Sequence, residues 1–212
     1  STQGVSSAAS DVYKRQQYPI PYEKELEYIQ NLPCRRENKG GDVGSKIHYN
    51  RQSEDTFVLD NPELSNVKEF IKSKIYKFAR EVMLSKDEVV ITQSWINKSG
   101  KGESHHEHVH PNSMISGVWY PVINEQLPPI QFRSRGQRDI QLSNEKYNNF
   151  NSATFLLPMK MGELIIFPSN LTHSVPANQS DTERISLSFN TWVKGSLGDI
   201  NSLTYLPLDR CI

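Results

Sequence analysis

Beyond Lys86 the chain is divided into short apolar stretches, and this pattern limits the folds that it can adopt. The stretches span residues 88–97, 114–120, 130–133, 153–157, 162–167 and 184–193, with Pro, Gly and Asn between them. Short runs rich in β-branched and aromatic residues are typical of β-strands. Many short strands after a helix favour a sandwich or a small barrel with helices packed outside. We therefore expect a mainly β fold with flanking helices.

One clear helix is predicted before these strands. Asn61 and Pro62 suit the N-cap and first helical position, and apolar residues then recur at helical spacing as far as Met83. The first 16 residues are small and polar and show no periodicity, which indicates a cloning-derived or disordered leader. The sequence thus predicts a leader over 1–16, a helical and loop extension over 17–86 that packs on the barrel, and a β core over 87–212.

Composition excludes several classes of protein. The 24 basic and 24 acidic residues balance, so a nucleic-acid partner is not favoured, because phosphate contacts need a basic excess. An apolar run of about 18 residues, as a transmembrane helix requires, is missing from the sequence, so no membrane partner is expected. With no secretory signal and only two cysteines, a cytoplasmic location is the expectation.

Four of the six histidines lie between His105 and His110. Alternate side chains of a strand share a face, so a His-x-His pair can direct two imidazoles at one point. Imidazole is a good ligand for iron, zinc or copper. A solvent-exposed polar loop or a fortuitous polyhistidine tract would explain the same cluster, so these interpretations stay open on these residues alone.

Two later segments add to this pattern. An apolar strand over 162–168 ends in Pro, and His173 follows it. Residues 184–193 then alternate, with Ile185 and Leu187 on the apolar face and Arg184 and Ser186 on the polar face. An Arg-x-Ser strand presents a guanidinium fork and a hydroxyl to one carboxylate, although a surface strand could look the same.

In combination these residues resemble the 2-oxoglutarate and iron(II)-dependent oxygenases. Those enzymes carry a His-x-Asp or His-x-Glu pair, a distant His after a strand of this kind, and an Arg soon after, often in Arg-x-Ser. The resemblance implies that His108, His110 and His173 are the metal ligands and catalytic residues. It also implies that Arg184 and Ser186 bind 2-oxoglutarate, with iron(II) as the metal.

Other positions extend the resemblance to roughly residues 88–193. A His-x-His-Pro motif followed by Ser-Gly-x-x-Tyr is similar to an uncharacterised branch of oxygenases from bacteria and phages. Asn97 matches a position that contacts 2-oxoglutarate in the nucleobase-demethylating relatives. Tyr120 shares strand parity with Ser116, so its side chain is expected to line the same pocket. Asn97 and Tyr120 are therefore candidate cofactor-binding residues. The implied fold is a double-stranded β-helix, a jelly-roll or cupin-like barrel.

One departure from the family pattern concerns the second ligand. Most of the superfamily has a carboxylate where this sequence has His110, and this departure permits other assignments. His105 and Glu107 form a His-x-Glu pair, and His106 and His108 form a second His-x-His pair. We favour His108 and His110, because Pro111 and the following strand keep the resemblance in register.

The resemblance implies an enzyme that uses dioxygen and 2-oxoglutarate to hydroxylate an unidentified organic or protein substrate, with release of succinate and carbon dioxide. Two rival classes remain. A three-His cupin-like metalloenzyme would not need Arg184 and Ser186. A non-catalytic jelly-roll binding or structural module would need neither the histidines nor the arginine.

Overall fold

The computed structural model describes residues 13–19, 22–36, 48–133, 143, 145–147 and 152–208. Residues 1–12 of the predicted leader lie outside these ranges. The strand Tyr13–Gln17 pairs with the strand Glu163–Pro168, so the backbone on both sides of the predicted boundary at residue 16 belongs to one sheet. The division of the chain into three segments stays a prediction.

The elements of the described residues follow the predicted order, with strands concentrated after Lys86. The helices are α1 (Glu23–Asn31) and α2 (Ser65–Lys77), with 3₁₀ turns at Val58–Asp60 and Pro62–Leu64 and a π-helical turn at Phe78–Val82. The strands are β1 (Tyr13–Gln17), β2 (Cys34–Arg36), β3 (His48–Tyr49), β4 (Arg51–Ser53), β5 (Glu88–Ser99), β6 (Glu103–His108), β7 (Ile115–Val122), β8 (Ile130–Arg133), β9 (Thr154–Leu157), β10 (Glu163–Pro168), β11 (His173–Val175), β12 (Arg184–Lys194), β13 (Ser196–Leu197) and β14 (Leu206–Pro207).

Within the described part of the chain, the long strands form two sheets. The larger has the order β1-β10-β7-β12-β5-β4-β2 and the smaller the order β3-β6-β11-β8-β9. All of their pairings are antiparallel except that of β3 with β6. Tyr120 and Phe167 of the larger sheet share a buried apolar cluster with Ile130 and Phe132 of the smaller sheet. This pair of facing sheets is the predicted double-stranded β-helix, and the fold class is confirmed.

The outer face of the larger sheet is covered by the helices. Val67, Ile71 and Ile75 recur at helical spacing along α2 and are fully buried in a cluster that includes Leu187 and Phe189 of β12. The predicted helix over 61–84 is therefore confirmed as a continuous helical segment that begins with the 3₁₀ turn at Pro62–Leu64. No helix in the described ranges combines the length and apolar character that a membrane crossing would require.

Close packing between the helices and the larger sheet explains why β7 contains a glycine. A Cβ atom on Gly117 would overlap the ring of Phe189, which is completely buried. Any larger residue at this position would displace the ring or the strand, so the close approach of β7 and β12 depends on glycine.

Alternation along β12 positions the polar residues of the interior. Ile185, Leu187 and Phe189 face the helices. Arg184 and Ser186 have the opposite parity and line a cavity between the two sheets. Strand parity thus places a charged side chain inside the barrel, as the sequence predicted.

Candidate metal centre

Three histidines meet at one end of this cavity. His108 is the last residue of β6, His110 follows two positions later, and His173 begins β11 directly opposite His108. One ring nitrogen from each lies within 4.8 Å of the others. The Nε2 atoms of His108 and His110 are 3.2 Å apart. We call this set the inner histidine triad, and its geometry could hold one metal ion.

The Nδ1 atom of each ring is occupied on the side away from this meeting point. His108 Nδ1 donates to the His106 carbonyl at 2.8 Å, and His173 Nδ1 donates to the Leu171 carbonyl at 2.9 Å. A carbonyl only accepts hydrogen bonds, so both rings carry their proton on Nδ1 and present the Nε2 lone pair. This arrangement is the one that a metal requires of a histidine ligand.

His110 is held by side chains instead of a carbonyl. Its Nδ1 atom lies 2.6 Å from Asn190 Oδ1 and 2.9 Å from Ser116 Oγ. The Ser116 hydroxyl also donates to Asn190 Oδ1 at 2.8 Å, and it bonds with the hydroxyl of Ser169. Sequence reasoning missed the role of Asn190, although its parity with Arg184 on β12 already placed it on the polar face.

Burial keeps His173 uncharged. His173 is 5% exposed, and burial, followed by the neighbouring His108 and His110, lowers its pKa to about 3. A neutral imidazole retains the lone pair that binds a metal, so His173 is ready to act as a ligand at neutral pH without first losing a proton.

Arg184 lies in the same cavity and has an unusual environment. It is 2% exposed, and none of the described carboxylates forms an ion pair with it. Its Nε donates to the Pro128 carbonyl at 3.1 Å and its Nη1 to Ser186 Oγ at 3.3 Å. Burial lowers its pKa, while Tyr120 acts in the opposite direction. An isolated charge of this kind is costly to bury, so the cavity is suited to an anion.

Tyr120 lies against this guanidinium. The Arg184 Cζ atom is 5.1 Å from the centre of the Tyr120 ring. The Tyr120 hydroxyl is buried without a hydrogen bond of good geometry to the described residues, and burial raises its pKa to about 12. The hydroxyl therefore stays protonated and can donate to a ligand in the cavity.

Asn97 also lines the cavity, but other side chains already engage its amide. Its Nδ2 donates to Ser188 Oγ at 3.0 Å, and its Oδ1 accepts from Asn50 at 2.9 Å. One N–H of the amide is still available for a ligand, so a contact with 2-oxoglutarate is limited to that single donor.

The alternative His-x-Glu register is not assembled by the structure. The Glu107 carboxylate is directed at Arg133, 2.6 Å away, and both side chains are about half exposed. Glu107 belongs to neither of the two histidine groups whose ring nitrogens converge. His105 does lie near His108, and it lines the cavity.

Two adjacent cavities lie beside the inner histidine triad. The inner cavity contains Arg184, Ser186 and Tyr120, and the outer one contains Gln52, Gln93 and Asn190. Both are lined by a common set of side chains, namely Trp95, His105, His108 and His110. The indole N–H of Trp95 is buried without a partner among the described residues. The histidines thus lie between a buried anion pocket and a cavity on the surface side.

Known proteins share both the sequence pattern and the fold. Residues 93–190 match a family model described as "Putative 2OG-Fe(II) oxygenase". No curated protein matches the sequence. The prolyl-4-hydroxylase of Pseudomonas putida superposes with a TM-score of 0.59 at 12% identity, over 86% of this chain and 93% of that one.

Two further structures are similar at the same level. The α-ketoglutarate-dependent epimerase SnoN of nogalamycin biosynthesis has a TM-score of 0.58 at 10% identity, over 84% of this chain and 76% of that one. A Trichoplax adhaerens prolyl hydroxylase in complex with a peptide has a TM-score of 0.54 at 15% identity, over 80% of this chain and 75% of that one. At such identities the structural likeness establishes the fold alone.

The segment that matches the family model contains all three histidines of the inner triad and Arg184. The predicted oxygenase, iron(II) and 2-oxoglutarate are confirmed at the level of the family. Residues 93–190 of this chain therefore carry the sequence pattern of the 2OG-Fe(II) oxygenases.

Proposed function

We propose that this protein is a 2-oxoglutarate-dependent hydroxylase in which His108, His110 and His173 hold iron(II). Arg184 and Ser186 would bind the far carboxylate of 2-oxoglutarate. The observation that carries the proposal is the buried Arg184 charge, because it shares one cavity with three convergent imidazoles and lacks an acidic partner among the described residues.

The residues fit both groups. Three convergent imidazole nitrogens suit iron(II), and three ligands leave positions for other molecules. A guanidinium and a hydroxyl from one strand suit a carboxylate, which accepts charge-assisted hydrogen bonds. When bound, iron(II) with 2-oxoglutarate supplies the activation of dioxygen that oxidises a C–H bond and yields succinate and carbon dioxide.

The chain's own part in the reaction is to bind, orient and exclude water. Arg184 is fixed by the Pro128 carbonyl and the Ser186 hydroxyl, so its planar fork has one orientation. Tyr120 covers one side of that fork and can donate its hydroxyl proton in a hydrogen bond. Asn190 and Ser116 keep the Nε2 atom of His110 directed inward. These contacts prepare the site before any ligand enters.

The outer cavity is the place for the substrate. Its described lining contains Gln52, Gln93, Asn190 and Trp95 and has no Asp, Glu, Lys or Arg. We therefore expect an uncharged, hydrogen-bonding part of an organic or protein substrate to approach the metal from this side, with dioxygen as the second partner.

The proposal is tested by anaerobic addition of iron(II) and 2-oxoglutarate. We expect a visible charge-transfer absorbance only when both are present, followed by slow succinate formation after oxygen is admitted. Arg184→Ala should strongly reduce the absorbance at a 2-oxoglutarate concentration that just saturates the wild type. Arg133→Ala, which removes an exposed arginine paired with Glu107, is the matched control and should behave as the wild type.

A second candidate function follows from the third histidine. His110 in place of a carboxylate also suits a cupin-like enzyme that binds metal without 2-oxoglutarate. Stoichiometric iron binding with no response to 2-oxoglutarate would select that alternative, and absence of metal binding would select a non-catalytic module.

A further inference from the structure

A bulge in β6 creates a second cluster of histidines beside the inner triad. His108 pairs with His173 and His105 pairs with Val175, so three steps along β6 match two steps along β11. In a regular strand, residues three apart would point to opposite faces. The additional residue brings the rings of His105 and His108 together, with centroids 4.4 Å apart and an interplanar angle of 24°.

His106 completes this second group. Its ring lies 5.2 Å from that of His105 and 5.0 Å from that of His108. One ring nitrogen from each of the three lies within 4.8 Å of the others, as in the inner histidine triad. Tyr49 of β3 packs edge-on against His106 at 5.7 Å and supports the ring from the other side. We call His105, His106 and His108 the outer histidine triad.

The two triads share His108, and that ring has one nitrogen to offer. Its Nδ1 donates to the His106 carbonyl, which leaves Nε2 as the metal ligand. This same Nε2 atom faces His110 in the inner triad. One lone pair binds one ion, so the two positions exclude each other when both require His108.

We propose that the outer histidine triad is a second transition-metal position that alternates with the inner one through His108. Three imidazoles suit zinc, nickel or copper. His105, His108 and His110 line both cavities, whereas His173 lines only the buried one. An ion in the surface-side cavity can therefore contact histidines of both triads, and it changes position as His108 changes partners. This position needs no 2-oxoglutarate, so it does not depend on the proposed reaction.

The experiment is a titration of the protein with Zn(II) alone, in which calorimetry measures the number of zinc ions bound. The wild type should bind one equivalent, because the positions compete for His108. His110→Ala/His173→Ala retains the outer triad and should still bind one equivalent. Removal of His105 and His106 in addition should abolish that binding, and thermal melting checks that each variant is folded. If the inner-triad variant binds no more zinc than the fourfold variant, the outer position is refuted.

A measurement on the unaltered chain covers the case in which the alanine variants unfold. Nitrogen-15 NMR of the imidazole rings reports which nitrogens bind Zn(II). We expect the His105 and His106 signals to shift during the titration, since zinc populates the outer position. Two equivalents bound at once, or unchanged signals from both residues, would overturn the proposal. Loss of the 2-oxoglutarate response would refute the proposed hydroxylase and leave these zinc results unaffected.

Discussion

Replacement of Arg184 by alanine is the most informative test of the site. The side chain is 2% exposed, and two of its hydrogen bonds go to Pro128 and Ser186. A guanidinium has five N–H donors, so enough remain for a two-point contact with a carboxylate. Removal of one partner from a buried charge pair costs about 2–5 kcal/mol of binding free energy. At about 1.4 kcal/mol for each factor of ten, the dissociation constant of 2-oxoglutarate should rise by roughly 30-fold or more.

The assay for Arg184→Ala is an anaerobic titration of the iron and 2-oxoglutarate absorbance, with iron affinity measured separately. Iron affinity should hardly change, because Arg184 is not one of the proposed metal ligands. Arg184→Lys should be intermediate, since lysine keeps the charge but lacks the planar fork. Unaltered 2-oxoglutarate affinity in Arg184→Ala would refute the argument and favour a cupin-like enzyme.

Four further predictions concern the histidines and their support. His173→Ala should lose tight iron(II) binding without unfolding, as measured by calorimetry and thermal melting, and so should His108→Ala; wild-type affinity in either would disprove the ligand assignment. His110→Asp should retain or tighten iron binding in the same titration, whereas a complete loss would contradict the assignment of His110. Asn190→Ala should weaken iron binding by roughly ten- to a hundredfold, the usual effect of a residue that orients a ligand, and an unchanged affinity would exclude that role. The pKa of His173 falls from 6.5 in the unfolded chain to about 3 in the folded protein. Between these pH values, the unfolded chain therefore binds a proton at His173 that the folded protein does not bind. The metal-free protein should therefore lose stability as the pH falls from 6.5 towards 3, and thermal melts of His173→Leu should show a weaker dependence.

Much of the fold was predictable because it depends on apolar side chains. The helix that ends in the π-helical turn and the long strands β5, β7, β10 and β12 each carry a continuous hydrophobic pattern. The strand Arg51–Ser53 has no such pattern, and it was missed because it is held at the sheet by backbone pairing with β5. Polar edge strands leave little signal in a sequence.

The candidate site was predictable in part for the same reason. Strand parity placed Arg184 and Ser186 inside, and the spacing of His108 and His110 indicated a pair. The stacking of His105 on His108 was not predictable, because a bulge changes parity by one residue without a mark in the sequence. The contact between His110 and Asn190 joins residues 80 positions apart, so only the paired strands reveal it.

In the proposed site, His110 stands where most of the superfamily has a carboxylate, and this changes the charge of the whole pocket. Three neutral imidazoles leave an iron and 2-oxoglutarate complex one negative charge poorer than two histidines and a carboxylate would. The residue that supports His110 is also neutral, since Asn190 offers an amide oxygen. Among the described lining of the inner cavity, Arg184 is the one permanent charge, and it is positive. The carboxylates of 2-oxoglutarate thus supply negative charge that the protein does not provide to the metal. Iron and 2-oxoglutarate should therefore bind with strong positive coupling, because each compensates a charge that the other leaves unpaired. His110→Asp supplies that charge from the protein, so the same reasoning requires the coupling to weaken in this variant even where iron alone binds more tightly.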